Sequence, residues 1–253
     1  MEVHHHPHVE NKRFKEYFLE FLMIFLAVTL GFFAENFREH SANGKKEKEY
    51  IVSLKEDLLT DSTDLHRVTP SAQLQYNMLD SLAIILRRAA DRESYDMSRL
   101  YYLNFYSSFG LILYNQNERT ISQIKSTGAF NLIRNKKCRD MITVYYNFYE
   151  DIITKEGNDV GNWMNDANKM SQKIFNYSHI GKFGFNGGAD IFLHDSLNLK
   201  LINSDSGLLN EYANKIKSLM MMLDSHLALE KMQSKSNKEL IDLLNNEYRL
   251  EKK

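Results

Sequence analysis

The chain has 253 residues and a formal net charge of −1, so no general attraction to nucleic acid is expected. Its one cysteine, Cys138, excludes an intrachain disulfide framework and a cysteine-rich zinc site. Proline occurs only at Pro7 and Pro70, so little forbids long helices. The expected fold class is all-α, an amino-terminal transmembrane helix followed by an antiparallel helical bundle.

Residues 1–16, MEVHHHPHVENKRFKE, read as a short polar tail. His4, His5, His6 and His8 are of the type that binds zinc, nickel or copper. Nothing else in the tail sets a ligand geometry, so a solvated tail is expected and no metal or other cofactor is assigned.

Tyr17–Ala34, YFLEFLMIFLAVTLGFFA, is the one run apolar enough to leave water for good. It is 18 residues long, about 27 Å as a helix, close to the hydrocarbon thickness of a bilayer. Its strictly uncharged core, Phe21–Ala34, has only 14 residues, a length shared with buried helices and signal-peptide cores. Glu20 lies within one turn of the end, where it can reach the interface. Aromatic residues gather at both ends, Phe14, Tyr17 and Phe18 before and Phe32, Phe33 and Phe37 after. Cleavage after Ala34 would place Phe32 where a small residue is needed, which argues against a removable signal. A single transmembrane helix over 17–37 is expected, with the lipid bilayer as its partner. Lys12, Arg13 and Lys15 crowd closer to it than Arg38, Lys45, Lys46 and Lys48 do. That places the amino terminus inside and the large domain (38–253) outside the cytoplasm.

Small residues give the span one distinctive face. At about 100° per residue, Glu20, Ala27, Gly31 and Ala34 fall within about 60° of one another. Ala27 and Gly31 have the small-xxx-small spacing that lets two backbones approach in lipid. These four are the expected membrane-helix association face, implying a homo-oligomer.

Beyond the span, Arg38–Gly44 reads as a polar linker and a charged helix begins near Lys45. Ile51, Leu54, Leu58, Leu65 and Val68 form one stripe on it, interrupted by Asp61. Thr69 and Pro70 read as the end of that helix and the start of another. Leu74, Met78, Leu82, Ile85 and Ala89 line the second, expected to pack antiparallel on the first. Residues 91–116 are aromatic and broken by Gly110; a buried helix is expected.

Asn117 can cap a helix carrying Ile121 and Ile124, which Gly128 can end in the left-handed conformation. Asn135 precedes a long helix in which Cys138, Met141, Ile142, Tyr145, Phe148 and Ile152 recur at three- and four-residue intervals. On that stripe Cys138 reads as a buried small hydrophobe, not a nucleophile. Asn158–Ser178, with the only tryptophan, Trp163, suggests a further helix. Gly181–Gly188, GKFGFNGG, has neither the strand context nor the Gly-Lys-Ser/Thr ending of a phosphate loop and reads as a connection. Leu197, Leu199 and Leu201 alternate, as a short strand or a helix end would. Ser204 or Asp205 can cap a last long helix carrying Leu209, Tyr212, Ile216, Leu219 and Leu223. Leu240, Ile241, Leu244 and Tyr248 continue the apolar pattern in the tail.

Two stretches, LMIFLAVTLGFFAENFREH with KEKEYIVSLKEDLLTD (Leu22–His40 and Lys46–Asp61) and TISQIKSTGAFNLIRNKKCRDMITVYYNFYEDI (Thr120–Ile152), resemble a family of uncharacterised bacterial single-pass membrane proteins with an amino-terminal anchor and a helical domain. The resemblance implies the anchor and the helical domain and carries no activity or catalytic residue. No zinc-protease, nucleophile-elbow, P-loop or dinucleotide motif is present, and no catalytic residue is assigned. The expected function is therefore a membrane-anchored helical interaction or sensory module acting through an unknown protein partner or through itself. The alternative is a membrane-tethered enzyme whose carboxylates and His66, His179, His194 and His226 converge only in space. A helical scaffold without ligand is not distinguished from the first reading.

Overall fold

Helix begins at Phe14 and does not stop until Ala90. This first helix, α1, has 77 residues in the computed structural model, which describes residues 14–108, 113–179 and 198–250. Two expectations are corrected by it. Arg38–Gly44 is not a linker: its polar side chains are compatible with helix, and Arg38 pairs with Glu35 one turn earlier, Nε to Oε2 at 2.9 Å. Nor does Thr69–Pro70 end the helix. Pro70 lies inside α1 and lacks the N–H that would bond the carbonyl of His66. The helix continues because the stripes on either side of Pro70 are both buried, Leu65 and Val68 before it and Ala72 and Leu79 after it.

The chain divides into two compact units, Met1–Tyr50 and Ile51–Lys253. Every described residue of the first is helical. In the second, α1 is followed by α2 (Met97–Ser108), α3 (Arg119–Ser126), α4 (Lys136–Phe148), α5 (Thr154–Ile174) and α6 (Ser206–Tyr248). No strand occurs among the described residues. One isolated antiparallel bridge joins Phe175 to Leu201, so Leu201 belongs to neither a strand nor a helix end. Leu197 and the Gly181–Gly188 connection lie outside the described residues.

Three long helical runs carry the core, and each buries a stripe at alternating intervals of three and four. On α1 the stripe is Ile51, Leu54, Leu58, Asp61, Leu65, Val68, Ala72, Gln75, Leu79, Leu82, Leu86 and Ala89. Because no break intervenes at Pro70, it keeps one register throughout. Leu74, expected inside, is 54% exposed. On α6 the stripe runs from Leu209 to Leu244 in the same rhythm. Such a repeat is the seam pattern of helices packed side by side along their length.

The third run is α4 and α5, joined without a break by a π-helical turn, Tyr149–Ile153. The stripe Cys138, Ile142, Tyr145, Tyr149 would continue in an α-helix at Ile152. The π-turn holds one extra residue, so Ile153 is buried and Ile152 is exposed. The threonine after the turn, Thr154, donates its hydroxyl to the Tyr149 carbonyl at 3.1 Å.

Caps fall largely where the sequence places them. Asn135 accepts from Cys138 N and Asp205 from Leu208 N, satisfying donors that the first helical turn leaves open. Gly128 follows α3 at φ +66°, the left-handed conformation that only glycine adopts without steric cost. Within the apolar core, α2, α5 and α6 share one polar node: Ser171 and Tyr212 both donate to Asn104 Oδ1, at 2.8 and 2.7 Å. Contacts also mark α1 against α6: the Leu58 carbonyl meets Asn237, Asp80 meets Lys217, and the Ala90 carbonyl meets Ser206.

Candidate functional site

Two regions stand apart from an ordinary helical core. The first is the amino-terminal part of α1. It contains an 18-residue window of mean hydropathy 2.1, none of it buried, and by length and composition can cross a membrane. Exposure is not confined to one side: Leu19, Ile24, Val28, Phe32 and Phe33 are all more than half exposed. Glu20, Ala27, Gly31 and Ala34 lie on this segment and are exposed. Beyond its chain neighbours and the adjoining helix backbone, a Cβ added at Gly31 would meet no atom within 4 Å.

The second region is a polar seam inside the helical domain. It starts where the α1 stripe is interrupted. Asp57 and Asp61, one turn apart, are 1% and 0% exposed. Asp57 serves α3, whose own N-cap residue, Glu118, makes no side-chain cap. Its carboxylate accepts Thr120 N at 2.9 Å and Arg119 at 2.6 and 3.0 Å, with Asn117 Nδ2 at 3.3 Å. The cap expected from Asn117 is thus shared: Asn117 Oδ1 accepts only Arg119 N, at 3.2 Å, and the main acceptor comes from another helix.

Asp61 accepts Asn117 N at 2.8 Å on one oxygen and the Tyr145 hydroxyl at 3.1 Å on the other. Among the described residues no cation pairs with it. Burial raises its carboxyl to about 6, outweighing the hydrogen bonds from Asn117 and Tyr145, and the Asp57 charge pushes the same way. Burial and the Asp61 charge push the Tyr145 phenol up to about 12; Tyr114 and Tyr146 are raised as well, by burial first. These phenols stay protonated at neutral pH, and the hydroxyls of Tyr145 and Tyr114 lie within hydrogen-bonding distance of the seam.

From Tyr145 the seam passes to α6. Asn237 Nδ2 donates to the Tyr145 hydroxyl and to the Leu58 carbonyl, each at 3.0 Å. The Tyr114 hydroxyl lies 3.4 Å from that of Tyr145. Further along α6, Gln233 reaches the Tyr145 carbonyl at 3.5 Å and Glu230 Oε1 accepts Tyr114 N at 3.0 Å. His226 Nε2 is 3.3 Å from Glu230 Oε1, within ion-pair distance but not aligned for a hydrogen bond. Among the described residues, Oε2 of Glu230 and both ring nitrogens of His226 have no hydrogen-bond partner. His226, Glu230, Gln233 and Asn237 occupy four successive stripe positions, each at most 1% exposed. Polar residues at such positions cost stability and specify which layers of neighbouring helices may face each other.

The interruption of the α1 stripe at Asp61 is plain in the sequence, whereas the α6 layer is masked there by its polar character. The signal was present, since between Leu223 and Leu240 the three-four rhythm continues in polar residues. Among the described residues, His66, His179 and His226 do not gather. His66 is exposed on α1, His179 lies against Asn176 and the Tyr101 ring, and His226 meets Glu230. His194 and the histidines of the tail lie outside the described residues. Among the described residues no group of three or more His, Cys, Asp or Glu side chains could hold a metal. Cys138 is buried. The seam therefore has the chemistry to align helices and to hold a proton.

Fold and site together define an all-α protein with one apolar helical segment near its amino terminus and a polar seam in its core. Comparison with protein-family models, with curated proteins and with solved structures finds no match.

Proposed function

We propose that this chain is a single-pass, membrane-anchored helical interaction or sensory module, acting through a protein partner or self-association. The observation that carries the reading is the exposure of the apolar segment on every side of α1. A helix apolar all round must be surrounded by something apolar, and at this length a bilayer is the fitting surround. The resemblance to single-pass bacterial membrane proteins agrees with it. On this reading the span is 17–37, the membrane is a bacterial inner membrane, and the larger concentration of nearby cations holds the amino terminus inside. The helical domain is then an antiparallel bundle outside the cytoplasm. Supporting that arrangement, residues 58, 80 and 90 of α1 meet residues 237, 217 and 206 of α6.

Self-association is assigned to the face bearing Glu20, Ala27, Gly31 and Ala34, which would shelter the carboxyl and bring two backbones close. Carbonate washing of membranes tests the anchor: the full-length chain is expected in the pellet, and its release into the supernatant would refute anchoring. Crosslinking of the isolated span tests the face. Ala27→Ile and Gly31→Ile are expected to abolish the crosslink, and an unchanged dimer would remove this surface from consideration.

The enzyme alternative has one observation on its side, the meeting of His226 and Glu230, which no motif announces. Their burial weighs against it, since a substrate would have to enter the packed interior to touch either.

A further inference from the structure

We propose that Asp61 is a proton-sensitive brace, clamped between α1, α4 and the segment before α3 when neutral and loosening their contact when it ionises. The inference goes beyond anchoring and does not depend on it.

Hydrogen-bond counting carries the argument. The Tyr145 oxygen accepts from Asn237, a fixed amide donor, and its single hydrogen can point to Asp61 or to Tyr114. With Asp61 ionised, Tyr145 donates to it and Tyr114 donates to Tyr145. With Asp61 neutral, the carboxyl donates to Tyr145, which turns its own hydrogen towards Tyr114. Both states fit the same heavy-atom positions, so a proton can be taken up without repacking. The two differ in what burial costs them. The ionised form places a full charge at a site where no described residue supplies a counter-cation, so a solvated, opened conformation is preferred.

The surroundings do not supply the missing charge. On α1, Asp57 adds repulsion, and its own partner Arg119 of α3 is 63% exposed. Glu118 precedes α3. Tyr114 comes from residues 113–118, Tyr145 and Tyr146 from α4, and Tyr149 from the π-turn. From α6 come the neutral Asn237 and, two and three turns away, Glu230 and His226.

The sign follows from burial. The carboxyl is held at about 6 when packed, against 3.8 when free. Between those values the packed form binds more protons than an opened one, so rising pH favours opening until it levels off above about 6. Through this group the domain is tighter in mildly acidic medium than at neutral pH, the reverse of what a salt-bridged carboxylate contributes.

Hydrogen exchange on the full chain in detergent micelles tests this, read as protection of amides 113–127 after correction for intrinsic rates. Protection at pH 5 is expected to exceed that at pH 7.5 about tenfold, the share of a two-unit shift that falls in this window. Asp61→Asn, a neutral isostere, is expected to fold, to lose the pH response and to be as protected at pH 7.5 as the native chain at pH 5. Tyr145→Phe removes a donor to the ionised form and should move the response to higher pH. His226→Gln should leave it in place. Equal protection at the two pH values would overturn the proposal. So would a response that survives Asp61→Asn or vanishes in His226→Gln, an unshifted response in Tyr145→Phe, or an Asp61→Asn chain that fails to fold.

Discussion

Asp57 and Asp61 are the same residue type one turn apart on one buried face, yet their environments assign them different work. Asp57 receives a guanidinium and a helix-terminal N–H, so its charge is matched and it organises α3. Asp61 receives a backbone N–H and a phenol and, among the described residues, no cation. Removing Asp57 would leave Thr120 N unbonded in a buried place. Asp57→Ala is expected to destabilise the fold by about 2–4 kcal/mol, the range for breaking a buried charge-assisted network. Urea denaturation of the native chain and the variant measures this. Asp205 has a smaller role, as cap of α6 alone. Its replacement by alanine is expected to cost about 1 kcal/mol, read in the same assay.

At the level of elements, Pro70 and the π-turn are local faults that packing overrides. Pro70 sits exposed in the interior of α1, where it forfeits one hydrogen bond and crowds the preceding turn. Pro70→Ala is expected to stabilise the domain by about 1–3 kcal/mol, because alanine restores the bond and favours helix. A raised thermal midpoint in circular dichroism is the readout. The π-turn is a one-residue insertion between two correctly registered helices. Deleting Ile152, which is exposed, should return the run to α-helix with Tyr149 and Ile153 still buried. Deleting Val144, also exposed, would instead rotate everything beyond it by about 100° and move the stripe off the core. The first deletion is expected to keep a cooperative thermal transition and the second to lose it.

For the molecule as a whole, the two compact units differ in what they need around them. The buried stripes of α1, α4, α5 and α6 belong to residues from Ile51 onward, so fragment 45–253 carries its own core. It is expected to be soluble and helical by circular dichroism, and a sheet-dominated spectrum would contradict the fold. The apolar segment has no such core. Arginine at the centre of a membrane helix costs about 2.5–3.5 kcal/mol per residue on insertion scales. Leu26→Arg combined with Val28→Arg is therefore expected to shift the full chain from the carbonate-resistant pellet to the supernatant.

Local periodicity and composition already determined several features in the sequence. These are the all-α class, the apolar amino-terminal helix, the cap at Asn135, a cap at Ser204 or Asp205, the left-handed Gly128, and most of the stripe from Ile51 to Val68. Each depends on residues within a turn or two of one another, where side-chain type and backbone preference speak directly. Tertiary structure decided the rest. Pro70 reads locally as a helix start, and only the core contacts on both sides keep α1 continuous and turn Leu74 outward. The π-turn is invisible to a three-four count, because an extra residue is absorbed by hydrogen bonding and leaves no mark in composition. The α6 layer of His226, Glu230, Gln233 and Asn237 looks like a solvated stretch until α1, α4 and residues 113–118 close over it. Whether a polar side chain is hydrated or buried depends on what packs against it, and for Asp61 those neighbours lie 56 and 84 residues away in the chain.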